Sequence, residues 1–287
     1  SAFINCELEF ISLQTLKNRF MKQLKLMVLT LTLLMGTMFT SCMDSGESGP
    51  QQWAGVVKVN DRMGYVTFTD AAGTELIPTN TIPVTLNARM AYIYCQVDEG
   101  QDLSTNPKSI KITLLADPTG IDATAITTPK VGESGDVTTN APVGSLSFAS
   151  GYSTVAPFQF SENTIVLPVL YRVKNVTTTE DIKKELAKHT FTLVCYTDDI
   201  KSGDTILKLY LRYKVEDEPA AIAERATRTS SFKAYEISQI LREYTLKSGQ
   251  AKPAKITIVA QQNEYNNKLE DTSTTEKVYE IEYKTAE

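Results

Sequence analysis

A single histidine, His189, serves the whole chain. With one His and no closely spaced cysteine pair, no zinc site of ordinary composition can be assembled. A Ser-His-Asp hydrolase would have to use His189, and no Gly-x-Ser-x-Gly elbow accompanies it. Glycine-rich phosphate loops are missing as well, so no cofactor is expected. His189 ends a short helical pattern (EDIKKELAKH), where a cation is favoured by the helix dipole. Cysteine is scarce too: Cys6, Cys42, Cys95 and Cys195. The last two sit in apolar strand patterns a hundred residues apart, which fits buried free thiols rather than a bridge.

The chain also lacks an apolar run long enough to span a bilayer, which takes roughly 20 residues. Leu26 to Phe39 (LMVLTLTLLMGTMF) reaches only 14 and contains Gly36 and three threonines. Lys22 and Lys25 precede it, and Phe39-Thr40-Ser41-Cys42 closes it with small residues before a cysteine. Residues 21–42 therefore read as a bacterial lipoprotein signal peptide, with Cys42 as the lipidated residue. Acyl chains contribute about 0.8 kcal/mol per buried CH₂, so several of them make a lasting membrane anchor. Residues 1–20, upstream of Met21, are expected to be upstream translation outside the fold. Residues 43–50 (MDSGESGP) form a short polar tether.

Excess positive charge is absent. Without the four basic and two acidic residues of positions 1–42, the remainder holds 25 basic and 32 acidic groups, a net charge of −7. Nucleic-acid binding needs a basic stripe that displaces counterions, so it is not expected.

What is abundant is strand pattern. WAGVVKV, MGYVTFT, TELIP, ARMAYIYCQV and SIKITLLA alternate or are β-branched and aromatic, with Asp, Gly, Asn and Pro between them. Residues 51–135 are expected to form a small β-barrel. Residues 136–157, rich in Thr, Gly, Ala, Ser and Pro, read as a linker region. Residues 158–287 return to strands, and the reading is a β-sandwich with two short helices. Leu207, Leu209, Leu211 and Tyr213 alternate with Lys208, Tyr210, Arg212 and Lys214, a half-buried strand with a cationic wet face. Pro168 inside TIVLPVLYRV points to an edge or a bulge. Thr177 and Glu180 suggest a capping box, followed by the apolar pair Ile182 and Leu186. Ile237, Ile240, Leu241 and Tyr244 make a second helical stripe ending near Ser248-Gly249. Both helices are expected to cover a sheet.

This order, with the turn-strand segment Gly73 to Pro78 and the strand Met90 to Val97, resembles the NigD-like lipoproteins of Bacteroidota. The resemblance implies an OB-like N-terminal domain and an immunoglobulin-like C-terminal sandwich. It further implies an envelope protein linked to bacteriocins, with an immunity role, and it supplies no catalytic residue.

Three readings of function follow. The first is a non-catalytic outer-membrane lipoprotein, on the cell surface or the periplasmic face, that binds an envelope protein, a bacteriocin or a polysaccharide through exposed loops and edges. The second is a surface glycan-binding lipoprotein, whose aromatic platforms would come from Tyr65, Tyr92, Tyr94, Tyr152, Tyr171, Tyr196, Tyr210, Tyr213, Tyr235 and Tyr244. Most of these fall at strand positions suited to packing, and Trp53 is placed to plug the barrel. The third is a fimbrial subunit-like protein, with Arg225 and Arg228 as processing sites that lie too far along the chain for that scheme. The paired carboxylates Asp98-Glu99 and Asp198-Asp199 match glycoside hydrolysis in residue type only, since both stand beside turns where acids are common. Asp204-Thr205-Ile206 fits a short O-glycosylation pattern at Thr205, although a residue entering a strand explains it equally.

Overall fold

The computed structural model describes residues 51–62, 64–80, 86–104, 106–133, 135–150 and 153–285. The segment expected to be a signal peptide, Cys42 and the expected tether lie outside the described residues, as does Tyr152. Strands β1 (Gln52–Arg62), β2 (Tyr65–Thr69), β3 (Glu75–Pro78), β4 (Met90–Val97) and β5 (Ser109–Leu114) close a five-stranded barrel. Its order is β1-β2-β3-β5-β4 and back to β1, with β3 and β5 parallel and the other pairs antiparallel. Closure depends on the length of β1. Its residues 52–58 pair with β4 and 58–62 with β2, so Lys58 faces both Met90 and Thr69. The barrel is filled by alternate residues, among them Val57, Phe68, Ala91, Ile93, Cys95, Ile110 and Ile112. Trp53 is half-buried and packs against this core.

β6 (Thr119–Ile121) adds to the barrel beside β4, and one residue later β7 (Ala123–Ala125) pairs with a strand of the second unit. That unit is a two-sheet sandwich. Its first sheet runs β10 (Phe158–Ser161), β11 (Thr164–Val173), β14 (Thr227–Glu236), β7. Its second runs β12 (His189–Val194), β13 (Ile206–Val215), β15 (Lys255–Gln262), β16 (Thr275–Glu282). A hairpin, β8 (Phe148–Ser150) with β9 (Ser153–Val155), stands apart. Ile165, Leu167, Val169 and Tyr235 of the first sheet share one core with Phe191, Leu193, Leu209, Leu211, Ile256 and Ile281 of the second. Residues 136–157, expected as a linker, give Ala141, Val143 and Leu146 to that core and bridge to Gln262 and Leu170. The expected order, an OB-like barrel and then a sandwich, is the one observed.

Pro168 is explained by its neighbours. β10 pairs only with Thr164, Ile165 and Val166, so the strand has no ladder partner on that side at Pro168. The free thiols are as read: Cys95 and Cys195 are buried and unbridged, and burial pushes both up to about 12.

The helices divide. Helix α3 (Ser238–Ser248) buries Ile240 and Tyr244, with Ile237 just before it, and ends at left-handed Gly249, φ 75°. Helix α1 (Thr179–Ala187) does the reverse of what its pattern predicts. Ile182 and Leu186 are 41% and 43% exposed, and Glu185 is its buried residue. Its cap is Thr178, accepting from Asp181 N, one position beyond the expected Thr177. A third helix, α2 (Pro219–Ala223), is not expected from the sequence.

Glu185 is buried because the Arg225 guanidinium meets it there. Its carboxylate accepts from Arg225 Nε at 2.7 Å and Nη2 at 3.2 Å, and from Lys174 N at 2.9 Å. Arg225 also donates to Asp217, which receives Lys188 Nζ as well. Burial alone would raise the Glu185 pKa, yet the bonds from Lys174 N, Arg225 and His189 leave it below the ordinary carboxylate value.

Candidate functional site

The sandwich has two outer faces, and the barrel seals one. Val56, Met90 and Ile121 of the barrel pack on Val166 and Ala234, and Tyr92 stacks on Phe232 at 5.3 Å. The outer face of the second sheet stays open. It carries the residues that alternation assigns to the wet side of β13: Lys208, Tyr210, Arg212 and Lys214.

A concavity of about 510 Å³ lies on this face, where the turn before β13 rises over β13 and β15. Such a volume falls in the usual range of ligand sites. Ile200, Ile206 and Tyr210 supply apolar surface, Asp199 and Asp204 carboxylates, Lys208 a cation, and Thr257 a hydroxyl. Helix α3 fixes the rim. Tyr244 donates its hydroxyl proton to Asp204 O, Gly203 N donates to Ser248 O at 2.8 Å, and Lys247 Nζ reaches Thr197 O and Asp198. Gly203, at φ 87°, makes the turn that a side chain would strain.

The floor is held by rings and cations. Lys208 Nζ and the Arg212 guanidinium each lie 5.1 Å from the centroid of Tyr210. Tyr196 meets Tyr210 edge-on at 5.2 Å, accepts from Arg212 Nη2 at 3.0 Å and donates to Asp136 at 2.9 Å. Bonds from Gly132 N and Tyr196 hold the Asp136 carboxyl below its ordinary value. The role of Asp136 is invisible in sequence, because it stands 60 positions from Tyr196 in a stretch that reads as linker.

The other residues singled out from sequence are dispersed. Asp198 turns outward to Lys247 while its neighbour Asp199 lines the concavity, so the pair does not act as one. Asp98 accepts from Thr79 and Thr113 at one end of the barrel. Tyr171, Tyr213, Tyr235 and Tyr244 are buried, and Tyr65 is exposed on the barrel. Arg225 is fully buried in its ion pairs and Arg228 belongs to β14, so neither is a processing site. His189 is corrected also. It is a core residue, with Nδ1 2.7 Å from the Tyr213 hydroxyl and Nε2 3.3 Å from Glu185. Burial lowers its pKa from 6.5, against the pull of Glu185, so it serves as a neutral link and not as a helix-end cation. Thr205 is exposed on the rim of the concavity. Among the described residues no group of three or more His, Cys, Asp or Glu could hold a metal ion, and no helix is long and apolar enough to cross a membrane.

No family model and no curated protein matches the chain. Among solved structures, a "putative lipoprotein" from Bacteroides fragilis is 95% identical over 83% of this chain and 100% of that one, with a TM-score of 0.76. A protein of unknown function from Bacteroides vulgatus shares the fold, at 11% identity and a TM-score of 0.51 over 82% of this chain and 92% of that one. A NigD-like immunity protein from Bacteroides caccae matches at 9% identity and a TM-score of 0.44, over 82% and 94%.

Proposed function

The chain belongs to the same family as the Bacteroides fragilis lipoprotein, and from that premise we propose that it is a non-catalytic binding module of the cell envelope. Cys42 would carry the lipid, and residues 43–50 would hold the barrel and sandwich just off the outer membrane, on its cell-surface or periplasmic face. One observation carries the binding role: an open sheet face, with a concavity of mixed chemistry, is left uncovered while the equivalent face of the other sheet is sealed. The concavity offers carboxylates, a lysine and tyrosines, and no histidine or cysteine to serve as base or thiol nucleophile. An envelope protein, a bacteriocin or a polysaccharide would be the partner. A net charge of −7 beyond residue 42 weighs against nucleic acid.

Affinity capture from detergent-solubilised envelopes tests this. The wild-type protein should retain a reproducible partner that an Asp199→Ala, Lys208→Ala variant loses. Equal capture by both would end the assignment to this face. For the anchor, Cys42→Ala should abolish incorporation of labelled fatty acid and move the protein to the soluble fraction. Thr205 on the rim is the modification candidate: intact mass from the native host should fall in Thr205→Ala by a glycan mass, and a difference of one side chain alone would dismiss it.

A further inference from the structure

The lining of the concavity constrains its ligand more closely than its shape does. Asp199 accepts no side-chain hydrogen bond and enters no ion pair among the described residues, and Asp204 has one carboxylate oxygen engaged, by Lys201 N at 2.7 Å. Ionised carboxylates are acceptors only, so a ligand seated here must donate. Thr257 joins them from below with a hydroxyl that can donate or accept. It is only 7% exposed, it lines the floor between Lys208 and Glu280, and its hydroxyl has no partner among the described residues. That hydroxyl lines the concavity and can exchange a hydrogen bond with a ligand hydroxyl.

Several ligand classes are disfavoured in turn. A purely apolar ligand would strip water from two carboxylates and give nothing back. A polyanion meets two negative groups and one positive, Lys208, whose ammonium is already held over the Tyr210 ring. A polyamine would suit the carboxylates but would face Lys208 and the neighbouring Arg212. What remains is an uncharged molecule with many hydroxyl donors and some C–H surface for Ile200, Ile206 and Tyr210. Resting on the reading of the open face as the recognition surface, we propose that this concavity binds a short neutral saccharide, with Asp199, Asp204 and Thr257 taking its hydroxyls.

Saturation-transfer NMR on the whole protein in detergent, with maltose, cellobiose and lactose as probes, tests the proposal. A galacturonate oligomer and spermidine serve as charged controls. At least one neutral disaccharide should give saturable transfer that outcompetes both controls, and Asp199→Ala and Thr257→Val should each weaken it about tenfold. Asp199 is on a surface turn, so that variant should keep the wild-type melting temperature and remain interpretable. No transfer from any neutral sugar, or transfer that neither substitution changes, overturns the saccharide. If the sugars fail while Asp199→Ala still abolishes capture of an envelope protein, the recognition face stands and only its ligand class falls. Failure of both removes the reading on which the proposal rests.

Discussion

The two sheets of the sandwich share one core, yet their outer faces have opposite fates. β11 is apolar on both sides because the barrel lies against its back, through Val166 and the Tyr92–Phe232 stack. β13 alternates strictly because the barrel does not lie against its back, and its outward residues carry charge, rings and hydroxyl neighbours. A continuous apolar run thus marks the face used for assembly within the chain, and an alternating one marks the face left for something else.

Substitutions in the closed parts should do the most damage. Glu185→Ala leaves the fully buried Arg225 paired with Asp217 but without its bidentate partner, and should destabilise by about 3 kcal/mol in urea unfolding. A loss under about 1 kcal/mol would mean that the ion pairs do not hold helix α1. Next comes the sealed seam. Met90→Ala, at 4% exposure, should cost about 2–5 kcal/mol, and a smaller cost would show the barrel resting loosely on the sandwich.

Acid should act on the same closed end. His189 and Glu185 both have pKa values below their unfolded ones, so the unfolded chain takes up protons first. Stability should therefore fall as pH drops below about 6.5, through His189, and further below about 4.5, through Glu185. Asp217, lowered by its bonds from Arg225 and Lys188, continues the trend into stronger acid. A His189→Gln variant should lose the upper part of that slope, and an unchanged slope would refute the assignment. The open face should respond least. Lys208→Ala is expected to change stability by no more than about 0.5 kcal/mol, since Lys208 is exposed and enters no ion pair among the described residues.

What could be read from the residues alone follows from range. The β13 alternation, the α3 stripe with its Gly249 stop, and the barrel strands are local patterns, and each is reproduced. Helix α1 is the counterexample. Ile182 and Leu186 form a regular i, i+4 apolar pair, yet Glu185 faces inward because Arg225, 40 residues away, waits there. Nothing local announces that partner. Likewise Asp136 has only the composition of a linker around it, and its role comes from Tyr196. The site is half visible: Lys208, Tyr210 and Arg212 read as a wet cationic face, whereas the turn that walls the concavity is set by Tyr244 and Ser248 from another helix.

If the open face of the second sheet is where this lipoprotein-family protein meets its partner, substitutions there and on the barrel must part company. Capture from native envelopes should be compared for wild type, for the open-face variant Asp199→Ala, Lys208→Ala, and for Tyr65→Ala on the exposed barrel surface. The open-face variant should lose the partner while Tyr65→Ala keeps it. Loss with Tyr65→Ala and retention by the open-face variant would contradict this and move the recognition surface to the barrel.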